Sequence, residues 1–244
     1  YIPNAVGLAV ASNKNFTLDF GGNTYTLIGP GACSSGTETN GFQLLRDSTI
    51  TFKNGTIRIA EGANNIKRII QNYADLTLED MHIYAENQVP DENYALSFNN
   101  GDITFKGDTD VITTSDDVSA VDICKFSNYP SASVTFDESY TGTINGKIVY
   151  DSTSADTHKL VIQGDGTFGT IEPSSTAGAD TAANSGITIT SGHFAGPVKE
   201  EYLADSVKAQ LKSASNPEAP YSYYPSVEDA IAAAKPGDTV TAVN

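Results

Sequence analysis

A short unit of apolar, polar and apolar residues, followed by a turn rich in Gly, Asn or Asp, returns along most of this 244-residue chain. It appears as Leu18-Asp19-Phe20, Ile50-Thr51-Phe52, Leu76-Thr77-Leu78 and Ile103-Thr104-Phe105, then as Val134-Thr135-Phe136, Leu160-Val161-Ile162 and Ile187-Thr188-Ile189. Successive spacings are 32, 26, 27, 31, 26 and 27 residues, and Phe42, Ile69, Leu96 and Ile123 keep a second register of 27. Further short apolar stretches follow at Thr26–Ile28, Thr56–Ile59, His82–Tyr84 and Thr109–Ile112. Strict alternation over three to five residues marks half-buried strands. Three strands per unit cannot bury their inward side chains alone, whereas stacked coils line one continuous core. The expected architecture is all-β: a right-handed parallel β-helix of about seven coils, a rod of about 34 Å at the usual inter-strand spacing. A β-sandwich would instead show hairpin turns at closer spacing, without a register held over four units.

Stacking places particular residues beside one another on the outside. A column of Asp19, Thr51, Thr77, Thr104, Thr135, Val161 and Thr188 is expected, flanked by Gly21, Lys53, Glu79, Lys106, Asp137, Gln163 and Thr190. The alternating signs of Lys53, Glu79, Lys106 and Asp137 favour this register. Asn72 and Asn99, also 27 apart, are placed to stack as an amide ladder.

The pattern stops after Phe194, so the β-helix is assigned to residues 1–195 and a helical cap or linker with a final strand to 196–244. Val198, Tyr202, Leu203, Val207 and Leu211 recur at helical spacing and predict a helix over Pro197–Ser213. Ser226 is placed to cap a short second helix, Val227–Ala234, with Glu228 and Asp229 in its first turn. Pro236-Gly237-Asp238 then turns the chain into a last strand, Thr239–Val243.

The stretch SVEDAIAAAKPGDTVTAV (Ser226–Val243) resembles the capping helix and first strand that open many pectate-lyase-like β-helices, and Ile189–Val207 resembles the end of repeat modules in large bacterial cell-surface proteins. The resemblance implies a pectate-lyase-like module of a bacterial, adhesin-like surface protein, one piece of a larger multi-module chain. In that family the opening motif starts a coil, whereas here it lies at the C-terminal end: it either starts a further β-helix or packs back as a terminal cap.

Composition excludes several classes. Fourteen basic residues against thirty acidic ones give a net charge of -16, the wrong sign for nucleic acid or an anionic membrane surface. No apolar run approaches the length of a membrane span. The absence of a starting Met and of a signal peptide suggests a segment excised from a longer precursor. Two Cys, 91 residues apart at Cys33 and Cys124, rule out a disulfide framework and a cysteine-based zinc site; two free thiols are expected unless the 29–41 insertion folds back three coils and lets them pair.

The β-helix resemblance brings polysaccharide lyases and glycoside hydrolases in as an alternative, since such enzymes use this fold. Hydrolysis needs two or three close carboxylates, and the candidate cluster is Asp108, Asp110, Asp116, Asp117 and Asp122. The same residues are the candidate ligands of a weak calcium site, which wants six to eight oxygens; the competing reading is turn-forming Asp on an acidic surface. His82, His158 and His193 have no partner at ligand spacing, and His82 reads as an outward strand residue. The Thr column invites an ice-binding reading, but its neighbouring column is charged. Tyr84, Tyr94, Tyr129, Tyr140 and Tyr150 fall in the middle coils; the first four are the candidate glycan-stacking residues, against the alternative that they finish the core. The expected function is a non-catalytic extracellular module, structural or binding a glycan or host surface protein, with no cofactor.

Overall fold

The computed structural model describes residues 5–32, 39–63, 65–87, 94–114, 118–126, 128–151, 158–173 and 186–243. They wind into a parallel β-solenoid of about 6 turns. Each turn lays one strand on each of three faces. The first face stacks Asn15–Asp19, the front of Thr49–Ile59, the front of Asp75–Tyr84, Gly101–Lys106, Ala132–Phe136, His158–Ile162 and Ile187–Ile189. The second carries Thr24–Gly29, the rear halves of the two long strands, Asp110–Ile112, Thr143–Ile144, Thr167–Phe168 and His193–Phe194. The third runs from Leu8–Val10 through Asn40–Leu44, Arg68–Asn72, Leu96–Phe98, Ser119–Ile123 and Lys147–Tyr150 to Ile171–Pro173.

First and second faces meet at a bend inside single strands. Asn54 and Asp80 sit there with φ of 55° and 51°, and Gly107 follows in the next coil at 58°. Asn and Asp tolerate the left-handed region better than other side chains, and Gly adopts it freely. The corner residue types are therefore those that the backbone requires.

The inward rows form the core. Ile50, Leu76, Ile103, Val134, Leu160 and Ile187 stack in one row; Phe52, Leu78, Phe105, Phe136, Ile162 and Ile189 form the next. All are buried. The Phe105 and Phe136 rings stack at 4.4 Å, and Phe168 and Phe194 at 5.2 Å. Burial of each such side chain contributes about 1.5–3 kcal/mol, so the aliphatic and aromatic lining outweighs anything on the outer faces.

Two registers differ from the sequence expectation. In the first coil Thr17, not Asp19, lies beside Thr51, and Asp19 lies beside Lys53. Phe16 and Leu18 thus point inward, and the outward row becomes Thr17, Thr51, Thr77, Thr104, Thr135, Val161 and Thr188. A slip of two residues keeps the alternation intact, which is why alternation alone did not reveal it. On the third face Phe42, Ile69, Leu96 and Ile123 are all buried in the core, yet the row in register is Phe42, Ile70, Leu96, Val121, Ile148 and Ile171. The amide of Asn72 donates to the carbonyls of Ala74 and Asn100 rather than stacking on Asn99.

The predicted helix over 197–213 is absent. A single 3-10 turn spans Glu200–Tyr202, and Ala209–Lys212 forms a strand. Val207, Ala209 and Leu211 alternate with Lys208, Gln210 and Lys212, a period-two signal that competes with the helical one. Pairing decided between them: this strand lies antiparallel between Tyr221–Tyr224 and Thr239–Ala242. The sheet so made joins the second face, because Tyr221 and Ser222 pair with Phe194 and His193. Tyr223 meets Phe194 edge-on at 5.7 Å, and Tyr202 hydrogen-bonds to the Tyr150 hydroxyl, so tail residues cover the end of the core. The short helix forms as expected at Val227–Ala233, with the Ser226 hydroxyl accepting from the Asp229 N–H at 3.0 Å.

Candidate functional site

The described acidic residues singled out in the sequence are spread over two faces. Asp108 and Asp110 flank the start of a second-face strand, whereas Asp122 lies on the third face. Asp116, Asp117 and Cys33 lie outside the described residues. Among the described residues no three His, Cys, Asp or Glu side chains come together in a metal-binding group.

The carboxylates are instead bound into the stacking. Asp110 Oδ2 lies 2.8 Å from His82 Nδ1 in the preceding coil, and its Oδ1 accepts from the Thr143 N–H of the following coil at 2.8 Å. His82 is therefore outward, as its alternation predicted. Asp80 Oδ1 accepts from the Asp108 N–H at 2.9 Å, and Asp75 Oδ1 from the Asp102 N–H at 3.0 Å. On the first face, Lys53 reaches Asp19 at 3.5 Å and Lys106 reaches Asp137 at 3.6 Å. One Thr column beside this charged column leaves no flat uncharged surface.

The third face differs. Its outward row is Gln43, Gln71, Ser97, Asp122, Val149 and Glu172. Gln43, Ser97, Asp122 and Val149 are nevertheless buried and Gln71 and Glu172 half-buried, so much of the outer side of this sheet is shielded from water. Polar groups in such a place must pair with one another. Asn40 Nδ2 donates to Gln71 Oε1 at 2.5 Å, and Gln71 Nε2 lies 2.9 Å from the Tyr73 hydroxyl and 3.2 Å from Asn99 Oδ1. The Ser97 hydroxyl lies 3.1 Å from Asp122 Oδ2 and 3.3 Å from Asn99 Oδ1, with one proton between two acceptors.

Burial pushes the Asp122 carboxyl up to about 6; the Ser97 hydrogen bond and the Arg68 charge pull it down, and Asp151 pushes it further up. Cys124, a free thiol, is raised to about 11, first by burial and then by Asp122 and Asp151. A thiol held protonated is a poor nucleophile. His158, 3% exposed, accepts at Nε2 from the Lys125 N–H at 2.9 Å, which places its ring proton on Nδ1 when neutral. The layer is a largely buried polar ladder whose hydrogen bonds join four coils, from Asn40 through Gln71 and Ser97 to Asp122. Sequence reasoning singled out Asp122 within it but missed Gln71 and Ser97, although one polar residue inside each apolar run at 71, 97 and 122 was the available signal.

The tyrosines separate by environment. Tyr140 is fully buried, its ring 4.9 Å from Phe136 and 5.5 Å from Phe168. It belongs to the core and presents no face to a ligand, a correction to the glycan-stacking expectation. Tyr84 lies outward on the second face in register with Arg58 and Ile112. Tyr94 is half-buried just before a third-face strand. Tyr129 joins an aromatic group with an exposed member: it lies 5.1 Å from Tyr73, which meets the exposed Phe126 edge-on at 6.3 Å.

Comparison with protein families, curated proteins and solved structures finds no match to this chain.

Proposed function

We propose that this chain is a non-catalytic, adhesin-like module of a bacterial extracellular surface protein, related in plan to the pectate-lyase-like β-helices. Its parallel coils form a stiff support that holds outward side chains and corner segments at fixed spacing for a glycan or a host surface protein. The observation that carries this reading is the engagement of the middle-coil carboxylates. Asp110 is bound to His82 and to the Thr143 backbone, and Asp75 and Asp80 to backbone N–H groups one coil away. Carboxylates used this way tie coil to coil, whereas polysaccharide hydrolysis needs a facing pair free to move protons. The tail sheet that closes one end of the core supports the same role, since a solenoid end needs cover to stay soluble.

The test is incubation of the purified chain with acidic and neutral polysaccharides, followed for unsaturated ends and for new reducing ends. Neither product is expected. Release of either product, lost in Asp110→Asn, would make the chain a polysaccharide lyase or glycoside hydrolase. Antibody labelling of intact cells that make the full-length parent protein checks the surface location, and labelling only after lysis would overturn it.

A further inference from the structure

The corner that follows the strand Ser119–Ile123 is longer than those before it and turns back along the solenoid. The Phe126 N–H donates to the Asn99 carbonyl at 3.0 Å, and the Tyr129 N–H to the Phe126 carbonyl at 3.1 Å. This carries Phe126 and Tyr129 over the corners of earlier coils, where Tyr73, Asn100 and the Arg46–Asp47 pair sit. Together they enclose a surface groove of about 330 Å³, lined by Arg46, Asp47, Asn100, Phe126, Tyr129 and Pro130. Arg46 and Phe126 follow third-face strands three coils apart, so the groove gathers residues distant in the winding.

Its chemistry is specific. Phe126 is 56% exposed, while the Tyr73 ring that it meets edge-on is buried. At the floor, Asn100 Nδ2 donates to the Tyr73 carbonyl at 2.7 Å, which fixes the amide. Asn100 Oδ1 is buried without a hydrogen-bond partner, an arrangement that costs free energy unless something donates to it. At the rim, Arg46 Nε lies 3.4 Å from Asp47 Oδ2, and both side chains are well exposed. The rim thus offers donors and acceptors side by side and little net charge.

The geometry points to a binding site for a neutral oligosaccharide. Aromatic faces with a few fixed polar groups match the apolar C–H faces and the hydroxyl edge of a pyranose. An acidic polysaccharide fits less well: the protein carries a net charge of -16, Asp47 stands in the rim, and the one arginine there is already paired. Three of the groove's contributors, Arg46, Asn100 and Phe126, stand apart from the tyrosines that sequence reasoning offered. The site stands independently of the presenting role proposed above, since an enzyme could carry it equally.

The purified chain is titrated, by calorimetry and by saturation-transfer NMR, with three probes: neutral hexose and N-acetylhexosamine oligosaccharides, uronate oligosaccharides and a proline-rich peptide. Saturable binding of a neutral oligosaccharide is expected, with affinity reduced at least tenfold in Phe126→Ala and several-fold in Arg46→Ala. Both residues are exposed, so thermal melting of the two variants should match the parent chain; Tyr129→Ala serves as a third variant if either does not. No binding to any neutral oligosaccharide, a preference for uronates, binding of the peptide alone, or neutral-sugar binding undiminished in all three variants would each overturn the proposal.

Discussion

Asp122 Oδ2 lies 3.1 Å from the Ser97 hydroxyl of the preceding coil, and both residues are buried on the outward side of the third face. The carboxyl is raised from 3.8 to about 6, chiefly by burial. A raised folded-state value means that the neutral form fits the fold better than the charged one. The associated stability is fully present below about pH 4 and is lost as pH rises through about 6, in total about 3 kcal/mol. Asp122→Asn keeps an oxygen for Ser97 and removes the charge. It should therefore stabilise the chain at pH 8 by about 1–3 kcal/mol and have little effect at pH 4, read from urea unfolding at both values. Equal effects at the two pH values would contradict a buried, titrating carboxyl.

The Tyr140 hydroxyl is buried without a hydrogen-bond partner, on a ring packed against Phe136 and Phe168. Removing an unpaired buried hydroxyl while keeping the ring should be neutral or stabilising by about 1 kcal/mol. Tyr140→Phe is expected to raise the melting temperature slightly, and Tyr140→Ala to lower stability by about 3–5 kcal/mol. A clear loss in Tyr140→Phe would show that the hydroxyl is paired in solution.

At the corner between the first and second faces, a Cβ on Gly107 would stand 2.1 Å from Asp80 Oδ1, and the backbone there has φ of 58°. Gly107→Ala should cost about 1–3 kcal/mol from backbone strain and displacement of the carboxylate. Part of that loss should disappear when Asp80→Ala is added, a non-additivity that a double-mutant cycle measures.

Lys106 and Asp137 approach to 3.6 Å with both side chains partly in water. Lys106→Ala should cost less than about 1 kcal/mol, and the difference should shrink in high salt. A larger, salt-independent loss would mean that the lysine stem, rather than its charge, matters.

The solenoid was legible because its winding is written in local alternation. Apolar residues at 50, 76, 103, 134 and 160 each needed the same neighbour, and spacing near 27 residues recorded it. The corner at 80 and 107 was legible in type, since Asp and Gly suit a left-handed backbone. The short helix was legible through Ser226 and the acidic residues after it. The strand at Ala209–Lys212 was harder, because its apolar residues satisfy helical and period-two patterns alike. Only antiparallel pairing with Tyr221–Tyr224 removed the ambiguity.

The sequence by itself determined that the chain winds into stacked coils, which residues line the core and how the terminal helix starts, because each depends on neighbours a few residues away or one repeat along. The tertiary structure alone decided that Gln43, Ser97 and Asp122 in the outward row are buried, and that Phe126 reaches back toward Arg46. Alternation tells which way a side chain points, but not whether another segment then covers it. The path of a corner segment depends on its length and on contacts made several coils away, and neither leaves a periodic trace in the chain.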